Sequence, residues 1–339
     1  MKLLNRALPP WTWSFAFAAV VFVLTVFLAG RGGGSTLSFA FALAPYLVLV
    51  GIGQMLVISA GAGNIDLSVG QVLSLAGFTA ISATDSAGSW LIGLLAGVAT
   101  GLGIAVISVI AITLVRMPPL VATLASGLIA TAFTQTLGNN FQGGPSPALH
   151  GFLNWAPGGV PVFALCLVAF SVLVVLVLHR TTYGRSLLAV GQSRRAAEYA
   201  GVRSWQTVAV AYLTSGALAG LAGALLSSYI APTIDLGNDY LLDSIAVVVI
   251  GGTLISGGRA VPTGVWGGAL FFILLDGLLN LLGWSLAGQD VLKGLLLLAV
   301  LFLAGGVGLK RTGRPKAAPA TDPAADTASA GLGERSVGL

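Results

Sequence analysis

Asn64, Asp66 and Ser68 lie in Gly61-Ala-Gly-Asn-Ile-Asp-Leu-Ser-Val-Gly70, a stretch that interrupts two apolar runs. A carboxylate at mid-membrane depth costs about 2.5 to 3.5 kcal/mol on insertion scales, so Asp66 must face protein or a wet cavity. Asp66 and Ser68 can cap the helix that follows, accepting from amides otherwise left orphaned. The same groups can touch a passing solute, and both readings stand. Asp276 and Asn280, four residues apart, share one helix face that points into a bundle. They either line a pore or bond a neighbouring helix. Thr253 and Ser256 sit in the glycine-rich stretch 251–258 ahead of Arg259, which suits close packing or a moving gate. Asp239 and Asp243 are one spaced acidic pair at a helix end, a pattern that metal-dependent motifs use but too little to make one.

The second polar feature is an island from His179 to Trp205 holding Arg180, Arg185, Arg194, Arg195, Glu198 and Arg203 between membrane-grade apolar segments. Within it, residues 193–200 read as a short helix. Ser193 can serve as N-cap, Ala196, Ala197 and Ala200 favour helix, and Gly201 can end it. Such a helix is too short to stand alone in water and needs something to pack on. A solvated basic loop would explain the arginines, but not a capped helix with a small-residue face and an aromatic at Tyr199. We therefore expect Ser193, Arg194, Arg195, Ala196, Ala197, Glu198, Tyr199 and Gly201 to dock against a cytoplasmic protein.

No catalytic constellation accompanies these residues. GxxxxGK[ST], HExxH and GxSxG are all missing, so the chain has no visible means of hydrolysing ATP or a substrate of its own. Cys166 is the single cysteine, which excludes an internal disulfide, and there is no CxxC pair for metal or redox work. No metal site is expected. His150, in the long polar segment 139–160, reads as incidental. Aromatic and basic residues are not interleaved, so no nucleic-acid partner is expected.

The elements that must position these groups are membrane spans. A hydrophobic share of 56% and a charged share of 8% do not fit one soluble core, since a globular domain carries about 25% charged residues. The expectation is an all-α membrane protein of about ten helices. Candidate spans are 11–30, 39–59, 67–83, 91–115, 118–137, 161–178, 206–228, 243–256, 261–282 and 291–308. The first is read as an uncleaved helix, because Arg31-Gly-Gly-Gly and not a cleavage pattern follows it. Pro118-Pro119 opens the fifth, where proline is best tolerated. The third and eighth are short and rich in Gly and Ser. Keeping both places Lys2, Arg6, Arg116, the central arginines, Arg259 and the basic residues after 309 on one side, with Asp85, Asp235, Asp239, Asp243 and Asp290 opposite and Lys293 near them. The positive-inside bias then sets both termini inside. Spans two to five and seven to ten run in opposite senses, as in an inverted repeat, with a faint echo between Asn64-Ile-Asp-Leu-Ser and Thr233-Ile-Asp-Leu-Gly. Residues 1–309 form the transmembrane domain, and 310–339, rich in Ala, Pro and Thr without apolar periodicity, read as a disordered cytoplasmic tail.

Several motifs together resemble the permease subunits of ribose-type bacterial ABC sugar importers. They are Asn64-Ile-Asp-Leu-Ser-Val-Gly70, Met117-Pro-Pro-Leu-Val-Ala-Thr-Leu124, Tyr183-Gly-Arg-Ser through Gly191 to Val202, Ser215-Gly-Ala-Leu-Ala-Gly-Leu-Ala-Gly223 and Asp243-Ser-Ile-Ala-Val-Val-Val-Ile-Gly-Gly-Thr253. They run in order over residues 51–303. The resemblance implies a multi-pass protein of the bacterial inner membrane and a second permease subunit, identical or different. It also implies a cytoplasmic ATP-binding subunit that holds ATP and Mg, and a periplasmic solute-binding protein. No cofactor is then needed in this chain, and the segment between spans six and seven couples to the ATPase. Two departures bear on the solute: Asn64 replaces a glycine, and Asp276 stands where the family has asparagine. Two rival readings are an ion-coupled secondary transporter and an intramembrane enzyme acting on lipid-linked substrates through Asp235, Asp239 and Asp243.

Overall fold

The computed structural model describes residues 9, 11–30, 32–139 and 141–308. The expected tail 310–339 lies outside the described residues, as do Lys2, Arg6 and Arg31. The described chain is helical apart from its connections: α1 (Thr12–Ala29), α2 (Gly33–Ser59), α3 (Val69–Ala87), α4 (Trp90–Thr113), α5 (Pro119–Gly138), α6 (Pro147–Asn154), α7 (Val162–Arg180), α8 (Thr182–Gln192), α9 (Arg194–Tyr199), α10 (Ser204–Ile230), α11 (Asn238–Ile250), α12 (Pro262–Leu281) and α13 (Leu286–Gly308). The described residues up to Val300 form one compact unit. The second unit starts at Leu301, and of it only the last turns of α13 are described.

In lipid every backbone polar group must be satisfied within the protein, which is why apolar runs of this length become helices. Each of the ten expected spans falls on a helix. Seven of these helices, α1, α2, α4, α5, α7, α10 and α12, are long and apolar enough to cross a bilayer. The eighth span is corrected. Its helix, α11, starts earlier, at Asn238, and ends at Ile250 after 13 residues, about 20 Å at 1.5 Å per residue. Gly251 and Gly252 then leave the helix, Gly252 with a φ of 90°, a conformation glycine alone adopts freely. The polar segment 139–160 is not all loop, since α6 folds within it. His150 in α6 places Nδ1 3.1 Å from the Ser228 carbonyl oxygen and stacks on Tyr229, a structural tie between α6 and α10.

Helices α2, α10 and α12 form the centre, with 83%, 72% and 72% of their most apolar stretches buried, against 22% for α1. Outer helices turn Phe27, Leu128 and Leu173 outward, the all-round apolar character of helices facing lipid. Glycines set the central packing. A Cβ at Gly101 of α4 would run into the Gly216 carbonyl oxygen of α10, and one at Gly216 into Gly101; Gly97 and Gly220 repeat the arrangement one turn on. The run 215–223 is thus a backbone-to-backbone seam.

Two breaks shape the interior. Helix α2 ends at Ser59, beside Gly191 and Gly258, and Gly258 N donates to the Ser59 carbonyl at 3.0 Å. From this end, which also carries Arg116, Arg194 and Arg259, the chain turns back into the bundle as residues 61–68 before α3 begins. Helix α10 runs the opposite way, starting at this basic end, and its own break, 231–237, folds back before α11. The second break reaches the first turn of α3, just past the first break, for a Cβ at Gly70 would strike the Gly237 carbonyl oxygen and a Cβ at Gly237 the Gly70 carbonyl oxygen. Gly237 N also donates to Ser74 Oγ at 2.9 Å. The two echoed sequence stretches lie at these two breaks.

Candidate functional site

Non-helical backbone within a membrane protein survives only where protein or water satisfies it, and side chains do so at the first break. Asp66 is 2% exposed. Its Oδ1 accepts from Ser68 N at 3.0 Å and Ser68 Oγ at 2.6 Å, and its Oδ2 accepts from Ser215 Oγ at 2.8 Å. Ser215 lies eleven residues beyond Ser204, the start of α10, or about 16 Å along the helix, which puts Asp66 deep in the bundle. Thr123 of α5 closes the segment from the other side, accepting from Leu67 N at 3.1 Å. Asn64 donates from Nδ2 to the Gly61 carbonyl at 3.1 Å and accepts from the Tyr212 hydroxyl at 3.3 Å. Asp66 thus accepts from the amide of Ser68, the residue just before α3. Ser68 does not cap α3 with its own side chain; it donates to Asp66 instead. Asn64 also lines a cleft of about 690 Å³ on the basic face, with Ala62, Arg116, Met117, Arg194 and Trp205.

On that face stands the expected short helix. Ser193 Oγ accepts from Ala196 N at 3.3 Å, and the helix α9 runs Arg194–Tyr199. Gly201 follows with a φ of 84°. The preceding helix α8 was not expected; its N-cap is Thr181, whose Oγ1 accepts from Gly184 N at 3.2 Å. Ala197 is the buried face of α9, while Arg195, Ala196 and Tyr199 point outward, Tyr199 with 93% of its surface free. Glu198 ties α9 to α10. It accepts from Ser204 Oγ and from Arg194 Nε, the latter at 3.0 Å. The Ser204 hydrogen bond first, and Arg194 second, hold the Glu198 carboxyl below its ordinary range. A depressed carboxylate contributes stability above its unfolded pKa and loses it as pH falls through the folded value. This tie therefore persists at neutral pH and loosens only in acid.

Asp276 and Asn280 both engage α13. Lys293 Nζ lies 2.8 Å from Asp276 Oδ1 and 3.1 Å from Asp243 Oδ2, and Gln289 Nε2 donates to Asn280 Oδ1 at 2.9 Å. Interhelical bonding is thus the arrangement seen for this pair. Asp243 and Lys293, expected at or near one outer side, have side chains each 6% exposed and paired with each other, and Lys293 and Asp276 share a pocket with the exposed Asp239 and Asp290. Asp235 and Asp239 stay exposed, and among the described residues no group of three His, Cys, Asp or Glu is placed to hold a metal ion. Thr253 is buried and accepts from Val261 N at 3.1 Å, while Arg259 donates to the Gly252 carbonyl at 2.8 Å. Both brace the turn between α11 and α12.

A family model described as the branched-chain amino acid transport system / permease component matches residues 36–301. This chain belongs to that family. The permease is 35% identical to the ribose import permease protein RbsC of Bacillus subtilis (strain 168), over 75% of this chain and 80% of that one. It is 33% identical to RbsC of Escherichia coli (strain K12), over the same shares. It is 29% identical to the L-arabinose transport system permease protein AraH of Escherichia coli (strain K12), over 75% and 77%. No solved structure matches. The permease is a multi-pass protein of the inner (plasma) membrane.

Reasoning from sequence alone passed over Ser204, Tyr212, Ser215 and Thr123, because single hydroxyls in apolar helices carry no pattern. Lys293 carried a signal, an ionisable residue inside a candidate span.

Proposed function

We infer that this permease is the membrane subunit of an ABC importer for a monosaccharide, driven through α9 by a separate ATP-binding subunit. Its relatives are named for ribose and L-arabinose, which supports the solute class. One observation carries the mechanical part. Glu198 of α9 is bonded to Ser204, the first residue of α10, and α10 in turn holds Asp66 of the re-entrant break through Ser215. A push on α9 by a protein docked at Arg195 and Tyr199 thus enters a rigid helix whose other bond is at the break. A partner shifts such an equilibrium only by binding its two states differently, and ATP binding and hydrolysis in the docked subunit supply that difference. A second permease chain and a periplasmic solute-binding protein complete the assembly.

The test has two arms. Purification from detergent is expected to bring an ATP-binding subunit with the wild-type chain, and Glu198→Lys is expected to cut uptake more than about ten-fold while the chain accumulates normally. Normal uptake by the variant at normal abundance, or full-rate uptake by this polypeptide reconstituted alone, would refute the coupling role.

A further inference from the structure

Gln54 of α2 is 0% exposed, and among the described residues neither its Nε2 nor its Oε1 has a hydrogen-bond partner. Buried amides are nearly always bonded, and leaving one unpaired costs roughly 1–3 kcal/mol. Its neighbours show where this amide stands. A Cβ at Gly53 would lie 3.3 Å from Ser215 Oγ, the hydroxyl that holds Asp66, so Gln54 lies at the depth of the re-entrant break. A Cβ at Gly51 would meet Val247 of α11 and Val265 of α12. At about 100° per residue, Gln54 falls about 60° from Gly51 and about 100° from Gly53, in the narrower sector between α10 and the α11–α12 pair. The first break is bonded to α10, one of the helices bounding that wedge, through Asp66 and Asn64.

We propose that Gln54 is a solute-binding position of the translocation path, shut in this conformation, whose amide bonds hydroxyl groups of a polyhydroxylated solute when the wedge opens. This rests on the reading of the chain as a monosaccharide permease. An amide offers both donor and acceptor and so matches a sugar hydroxyl, which needs both. Shape alone does not call for glutamine here, since leucine or methionine would fill the same volume without an unpaired group.

The test uses cells carrying the full importer, with radiolabelled D-ribose, L-arabinose and D-fructose as probes, and the variants Gln54→Met and Gln54→Leu. Wild-type uptake of at least one sugar tests the functional reading by itself. On that sugar each variant is expected to lower Vmax about ten-fold, what losing about 1.4 kcal/mol gives. Half-saturation should stay unchanged, because a side chain this enclosed is not reached at the loading step. The thermal midpoint of the purified variants should match or exceed wild type, since an unpaired buried amide has been removed. Wild-type Vmax in both variants overturns the Gln54 role and leaves the functional reading intact. Loss of abundance or a lowered midpoint in both assigns Gln54 to structure and also overturns it. A wild-type importer that moves none of the three sugars overturns both readings together.

Discussion

Lys293→Met is expected to destabilise the folded helix bundle by about 3–5 kcal/mol, the usual penalty for removing one partner of a buried ion pair. The ammonium lies between Asp243 and Asp276, with side-chain exposures of 6%, 6% and 24%. Without it two carboxylates face each other across α11 and α12, near Asp239 and Asp290. The variant should therefore accumulate poorly or melt many degrees lower in a detergent thermal scan. The cause is the abandoned charge and not the loss of a bond, which gives a second arm to the experiment. In Lys293→Met/Asp243→Asn/Asp276→Asn the charges are gone from all three positions, and most of the lost stability should return. If the triple variant melts no higher than the single one, packing of the lysine stem and not charge is what the position supplies. A single variant with wild-type stability would show the cluster to be dispensable.

That cluster also marks a limit of reading the sequence alone. Charge parity along the chain orders the spans because loops collect arginine, and it works for Arg116, Arg194 and Arg259, which lie at one end of the bundle. It does not reveal that Lys293 pairs with Asp243 and Asp276; only the three-dimensional meeting of α11, α12 and α13 shows that these charges cancel. The short helix 193–200 was legible because every signal for it is local: a serine cap, alanines and a terminating glycine. The local bonds from Ser68 to the Asp66 carboxylate were half legible for the same reason. Its bond to Ser215 spans 149 residues, and nothing in the run 215–223 distinguishes that serine from a packing residue. The end of α11 at Ile250 was missed because Leu254 and Ile255 carry the hydropathy window past Gly251 and Gly252, the glycines that stop the helix.

Asp66→Ala is expected to lower stability by about 3 kcal/mol or more, since it strips a charged acceptor from Ser68 N, Ser68 Oγ and Ser215 Oγ, each such bond contributing about 1.5–3 kcal/mol. The Ser68 amide would then be buried in non-helical backbone with nothing to accept its proton, and the turn into α3 would lose its tie to α10. Asp66→Asn separates fold from transmission. Asparagine keeps the shape and one carbonyl oxygen, so the local turn through Ser68 survives, while toward Ser215 it presents an amide that meets the hydroxyl only as a donor, a neutral bond of reversed direction in place of a charge-assisted one. We expect this variant to accumulate and to lose part of its uptake, and Ser215→Ala, which removes the hydroxyl, to lose more. If the bond between them is what transmits movement of α10 to the break, the double variant should be no slower than the slower single one, a non-additivity that neighbours acting through one contact must show. Independent losses that multiply in the double variant would place the two residues in separate roles and cut the path from α9 to the break at its last step.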